Sequence, residues 1–110
     1  MYEYNGYYIP THMVNALKRY IEHGILPGDF LQAIISNDFM GAFSRADTEN
    51  SKNMRAYAAY MYNEMPSDII GSKEIMMDYS KKKWEEAFAE NERELAKEAM
   101  IAEDIINGCN

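Results

Sequence analysis

With a single cysteine, Cys109, the chain cannot close an internal disulfide, which sets aside the small cross-linked folds of oxidising compartments. Three prolines and six glycines in 110 residues are few, and suit helices better than a loop-rich fold. No run of about 18 apolar residues occurs, so no membrane-spanning helix and no membrane partner are expected. The opening MYEYNGYYIP lacks the basic flank and apolar stretch of a secretion signal, and a cytoplasmic location is expected. Positive charge is scarce as well: 11 Lys and Arg stand against 18 Asp and Glu, a net charge of −7. Direct nucleic-acid binding requires phosphates to be neutralised, so it is not expected. The only basic cluster, Lys81-Lys82-Lys83, reads as a solvated helix face.

Chemistry-bearing motifs are missing too. There is no HExxH, CxxC, glycine-rich phosphate loop or GxSxG. His12 and His23 are eleven residues apart, at the two ends of one expected helix, and cannot share a metal by themselves. Glu86–Glu90 and Glu90–Glu94 fall on one helical face, but di-metal bundles need Glu-x-x-His motifs, and none is present. No catalytic residue, cofactor or metal site is therefore assigned, and a non-enzymatic protein is expected.

What the chain does contain is an apolar content of 47% with 26% charged residues, a globular composition. The expected fold class is all-α: about four short helices, one long C-terminal helix, and a short N-terminal β-hairpin. YEYNGYYI places Asn5-Gly6 between tyrosines, the pattern of a type I′ turn; an extended, tyrosine-rich arm is the other reading. Helix one should start with Thr11 as its N-cap and end before Gly24, burying Val14, Leu17, Tyr20 and Ile21. The stretch RYIEHGILPGDF that follows holds a histidine, two glycines, a proline and an aspartate. Each has a structural use: His23 in a last turn, Gly24 as a left-handed cap, Pro27 as a stop, Asp29 at a helix start. It reads as a joint between helices and not as a catalytic loop. Helix two carries Phe30, Leu31, Ile34 and Ile35. Asn37 or Asp38 should cap a short third helix, and Asp47 a fourth running to about Glu64. The apolar stripe of that fourth helix would be Met54, Tyr57, Ala58, Met61 and Tyr62.

From Ser72 to Gly108 neither glycine nor proline intervenes, which predicts one helix of about 35 residues. Residues 1–71 would form the helical body with its tyrosine-rich arm and residues 72–107 the long helix, one domain overall. Met77, Trp84, Phe88, Leu95, Ala99, Ala102 and Ile106 lie close to a heptad seam, with Asn91 at the skipped position. Trp84, Phe88, Leu95, Ala102 and Ile106 are the candidate seam of a homodimer; a kink near Asn91 is the alternative. Residues 85–110 hold eight acids against Arg93 and Lys97, a net −6.

The elements Arg19-Tyr20, Glu22-His23-Gly24, Pro27-Gly28, Phe30-Leu31, Asn37-Asp38, Arg45-Ala46-Asp47, Glu49-Asn50, Tyr60, Tyr62-Asn63, Pro66 and Gly71-Ser72 resemble a family of small uncharacterised proteins of bacteriophages and mobile elements. The resemblance covers a little over half the chain. It departs at Ile70, where the family pattern has tryptophan, and in the acidic helix beyond residue 80. It implies a phage or prophage origin and a host bacterial cytoplasm, and brings no activity with it.

The expected role is that of an anti-defence inhibitor, of the anti-CRISPR or anti-restriction kind, whose partner is a host protein complex. Carboxylates along a helix can occupy a basic nucleic-acid channel, and Glu86, Glu90, Glu94, Glu98 and Glu103 are the candidate contacts. Two other readings stand beside it: a structural or accessory homo-oligomer, and a nucleotide sponge using Arg19, Arg45 or Arg55 with tyrosine stacking.

Overall fold

Asn5 and Gly6 take φ angles of 49° and 84°, the left-handed pair that a type I′ turn requires and that these residue types tolerate. A computed structural model describes the backbone of residues 1–108 and the side chains of residues 1–99. Around the turn, β1 (Tyr2–Tyr4) and β2 (Tyr7–Ile9) pair antiparallel, with Tyr4 opposite Tyr7 and Tyr2 opposite Ile9. The hairpin is thus present, and the extended arm is not. Two strands alone are marginal in water, and here they are docked. Ile9 is fully buried, the Tyr2 ring meets Tyr60 edge-on at 5.0 Å, and the Tyr8 N–H donates to Asn53 Oδ1 at 2.8 Å.

α1 (Thr11–His23) buries Val14, Leu17 and Tyr20. Its cap differs from expectation. Pro10 is the N-cap residue, and the Thr11 hydroxyl instead accepts from the N-terminal amine at 3.1 Å. α2 (Asp29–Ile35) follows a Gly28 cap and buries Phe30, Leu31, Ala33 and Ile35. α3 (Phe39–Arg45) is capped by Asp38, whose carboxylate accepts from the Gly41 N–H at 2.9 Å.

The single fourth helix expected over residues 47–64 is two helices, α4 (Thr48–Lys52) and α5 (Met54–Asn63), so five short helices precede the long one. Asp47 caps α4 as expected, accepting from the Asn50 N–H at 2.7 Å. The break falls at Asn53, whose side chain competes with the helical backbone for hydrogen bonds. Its Oδ1 takes the Tyr8 N–H, and its Nδ2 donates to the Glu49 carbonyl at 2.9 Å. The same residue that interrupts the helix fastens the hairpin to it.

A 3₁₀ turn (Ser67–Ile69) leads into α6 (Lys73–Gly108). Ser72 caps α6, its hydroxyl accepting from the Ile75 N–H at 3.1 Å. Among the described residues, only those in the first turns of α6 are held by the body. Met76 is buried, the Ser80 hydroxyl donates to the Gly24 carbonyl at 2.7 Å, and the Tyr79 hydroxyl donates to the Ile21 carbonyl. The core they complete is built on Leu17, Tyr20, Ile35 and Tyr57. Within it, the Tyr20 hydroxyl donates to the Ile69 carbonyl at 2.6 Å and that of Tyr57 to Asn50 Oδ1 at 2.7 Å. The molecule measures 70 × 27 × 22 Å. α6 accounts for most of the long axis, since 36 residues at a rise of ~1.5 Å span roughly 54 Å.

Candidate interaction surfaces

The joint RYIEHGILPGDF proves to be where α6 is received. Gly24 sits at φ 65°, and a Cβ built there would lie 2.6 Å from Lys83 Cβ and 3.2 Å from Ser80 Cα. Glycine serves both the left-handed cap of α1 and the close approach of α6. His23 is exposed beside Glu22, at 3.7 Å. It borders a notch of about 190 Å³ with Lys83, Glu86 and Glu90.

Beyond Lys83 every described side chain of α6, from Trp84 to Ala99, is exposed. Glu86, Glu90, Glu94 and Glu98 succeed each other at four-residue steps along the outside of this helix, as the sequence suggested. Among the described residues, one ion pair engages them: Lys83 Nζ lies 3.9 Å from Glu86 Oε2. Trp84, Phe88 and Leu95 are 67%, 61% and 57% exposed, an apolar stripe with no cover from the body. Ala102, Glu103 and Ile106 lie on the described helical backbone, but their side chains are outside the described residues. The helix is assigned without a break through Asn91 and on to Gly108.

A second surface was not anticipated. Ile34, Met54, Ala58, Met61, Tyr62 and Ile70 line an apolar groove of about 570 Å³ between α2, α3 and α5. Phe39, 68% exposed, is also among its lining residues. This corrects the expected orientation of α5. Its buried residues are Ala56, Tyr57, Ala59 and Tyr60, while Ala58 and Tyr62 face solvent, with Tyr62 90% exposed. The segment MRAYAAYMYN is apolar on nearly all sides, so three- and four-residue spacing fits two faces equally well. The docked tyrosine hairpin selects the face.

Five tyrosines have their phenol pKa values raised. Burial pushes the Tyr20 hydroxyl up to about 12 and raises those of Tyr57, Tyr60 and Tyr79. Tyr8 is raised first by its hydrogen bond to Glu49. A raised phenol is the opposite of an activated one. None of Arg19, Arg45 and Arg55 lines the apolar groove. Arg45 donates to the Gly41 carbonyl, and Arg55 stands 5.9 Å over the Tyr7 ring. Among the described residues no helix is long and apolar enough to cross a membrane, and no three His, Cys, Asp or Glu side chains are grouped to hold a metal. Compared with protein-family models, curated proteins and solved structures, the chain matches none.

Proposed function

We propose that this is a non-enzymatic interaction protein of phage type, which docks its acidic C-terminal helix on a basic surface of a host nucleic-acid-handling or defence complex. The observation that carries the proposal is the state of α6. Three turns anchor it, and from Trp84 to Ala99 every described side chain stands in solvent. A helix that served only its own fold would end where the body ends, because an unpacked helix gains little stability in water. Residues 84–108 hold eight acids and two bases, a net −6. Carboxylates at a helical rise of ~1.5 Å per residue present closely spaced negative charge to a groove built for phosphates. Long-range attraction would steer the encounter and make it salt-sensitive.

Docking through this face is tested by capture from a bacterial lysate at low and high salt, comparing the wild-type chain with a triple variant, Glu86→Lys, Glu90→Lys and Glu94→Lys. One nucleic-acid-binding complex retained at low salt by the wild type, and lost with the variant, is the expected result. Retention of the same complex by the triple variant would remove the acidic face from the proposal.

A further inference from the structure

The apolar stripe of α6 has a symmetry that identifies its occupant. Apart from Ala102, whose mirror position is Lys81, its members Met77, Trp84, Phe88, Leu95, Ala99 and Ile106 are spaced 7, 4, 7, 4 and 7, a series that reads the same from either end. Its centre lies between Asn91 and Glu92. The period is also not the heptad it resembles: Trp84 to Leu95, Leu95 to Ile106, Met77 to Phe88 and Phe88 to Ala99 are each eleven residues. An eleven-residue repeat favours straight or slightly right-handed pairing over a left-handed supercoil. The stripe is separate from the side of α6 that the body covers. Met76 and Ser80 are buried, whereas Met77 is 44% exposed and Lys81 is exposed, so the stripe runs free past the anchored turns as well.

We infer that α6 pairs with α6 of a second copy of this chain, antiparallel, about a two-fold axis at Asn91–Glu92. A palindromic seam on a two-fold axis sets each seam residue against another seam residue. Trp84 lies level with Ala99 of the second copy, Phe88 with Leu95, and Met77 with Ile106; the largest side chain is matched by the smallest. Charge fixes the direction. Residues 73–83 hold four lysines against Glu74 and Asp78, a net +2, while residues 84–108 carry −6. Parallel pairing sets −6 beside −6. Antiparallel pairing brings Lys81–Lys83 of one copy level with residues 100–102 of the other, within a turn of Glu98, Glu103 and Asp104. The two helix dipoles then also oppose. Glu86 lies about half a turn from the Leu95 stripe at ~100° per residue, so the dimer leaves it facing outward, and the inference does not rest on the proposed host partner.

Sedimentation equilibrium tests the stoichiometry: twice the 12.7 kDa chain mass is expected, falling to one chain for Leu95→Lys and for Phe88→Lys. Both residues are more than half exposed in the single chain, so circular dichroism should show the body still folded in each variant. Direction is read by nitroxide spin labels at Asn107→Cys in a Cys109→Ser chain. Antiparallel pairing places the two labelled positions about 31 residues apart along the axis, roughly 45 Å, whereas parallel pairing places them within about one interhelical spacing of ~10 Å, widened by the label arms. A single-chain mass for the wild type, a dimer untouched by both seam variants, or a short label distance would each overturn the inference. Loss of lysate capture with the dimer intact would leave it standing and sink only the docking reading.

Discussion

Replacing Gly24 with alanine should unseat α6 from the body. Two independent costs arise at this position. The backbone is left-handed at φ 65°, which costs a residue with a Cβ about 1–2 kcal/mol. The new methyl would also lie 2.6 Å from Lys83 Cβ and 3.2 Å from Ser80 Cα. These are near-backbone atoms of an anchored helix and cannot swing aside, so overpacking adds about 1–3 kcal/mol. The reduced freedom of the unfolded chain returns about 0.4–1 kcal/mol. The net loss is about 1–4.5 kcal/mol, or roughly 4–18 °C in Tm at about 4 °C per kcal/mol for a domain of this size. Gly28→Ser is the control: nothing lies within 4 Å of its Cβ position and its φ is −64°. A hydroxyl at that cap should change stability by no more than about 0.5 kcal/mol. Urea denaturation followed by circular dichroism measures both. Hydrogen exchange at Ser80 to Lys83 should accelerate in Gly24→Ala in excess of the global change. A Gly24→Ala protein within about 0.5 kcal/mol of wild type would refute the close α1–α6 contact.

Three further outcomes are expected. Asn53→Ala strands the Tyr8 N–H and the Glu49 carbonyl, at about 1–3 kcal/mol each, offset by about 0.5 kcal/mol of helix propensity; a net loss of about 2–4 kcal/mol with faster exchange at the Tyr8 amide should follow, and an unchanged midpoint would contradict it. Tyr62→Ala, at a site 90% exposed, should stay within about 0.5 kcal/mol of wild type, while Tyr57→Ala should cost about 3–5 kcal/mol; equal effects would contradict the orientation of α5. Folded tyrosines whose pKa values are raised bind their protons more tightly than unfolded ones, so their stabilisation is complete below about pH 10 and fades as pH rises. Urea midpoints should therefore fall between pH 10 and about 12, the value to which Tyr20 is raised, and a flat profile across that range would contradict the burial of these hydroxyls.

Elements governed by local rules could be read directly from the residues. Asn5-Gly6 specified its turn, Gly24 its left-handed cap, Asp38 and Asp47 their helix starts, and the gap without glycine or proline from Ser72 to Gly108 the length of α6. Choices made by tertiary contacts were not legible. The break at Asn53 depends on a hydrogen bond to a residue 45 positions away. The buried face of α5 depends on the hairpin that docks against it, since the helix itself is apolar on most sides. The groove beside α5 followed from the same difference: of the expected stripe Tyr57 is buried, Met54 and Met61 pack against the core and also line the groove, and Ala58 and Tyr62 are exposed. Of the candidate contacts on α6, the exposure of Glu86 to Glu98 and of Trp84, Phe88 and Leu95 could be expected from an acidic helix longer than the body. The seven-and-four spacing is in the sequence itself; what the sequence does not give is that Met77 lies on the free side of α6 while Met76 and Ser80 lie on the covered side.

The docking proposal meets its most direct test in competition. The complex captured through α6 is loaded with fluorescent nucleic acid and titrated with this protein, with fluorescence anisotropy as the readout. Displacement is expected, with a half-point that rises steeply with salt and is lost for the Glu86→Lys, Glu90→Lys, Glu94→Lys chain. Simultaneous binding of nucleic acid and protein, insensitive to salt, would contradict the claim that the acidic helix occupies a phosphate-binding surface.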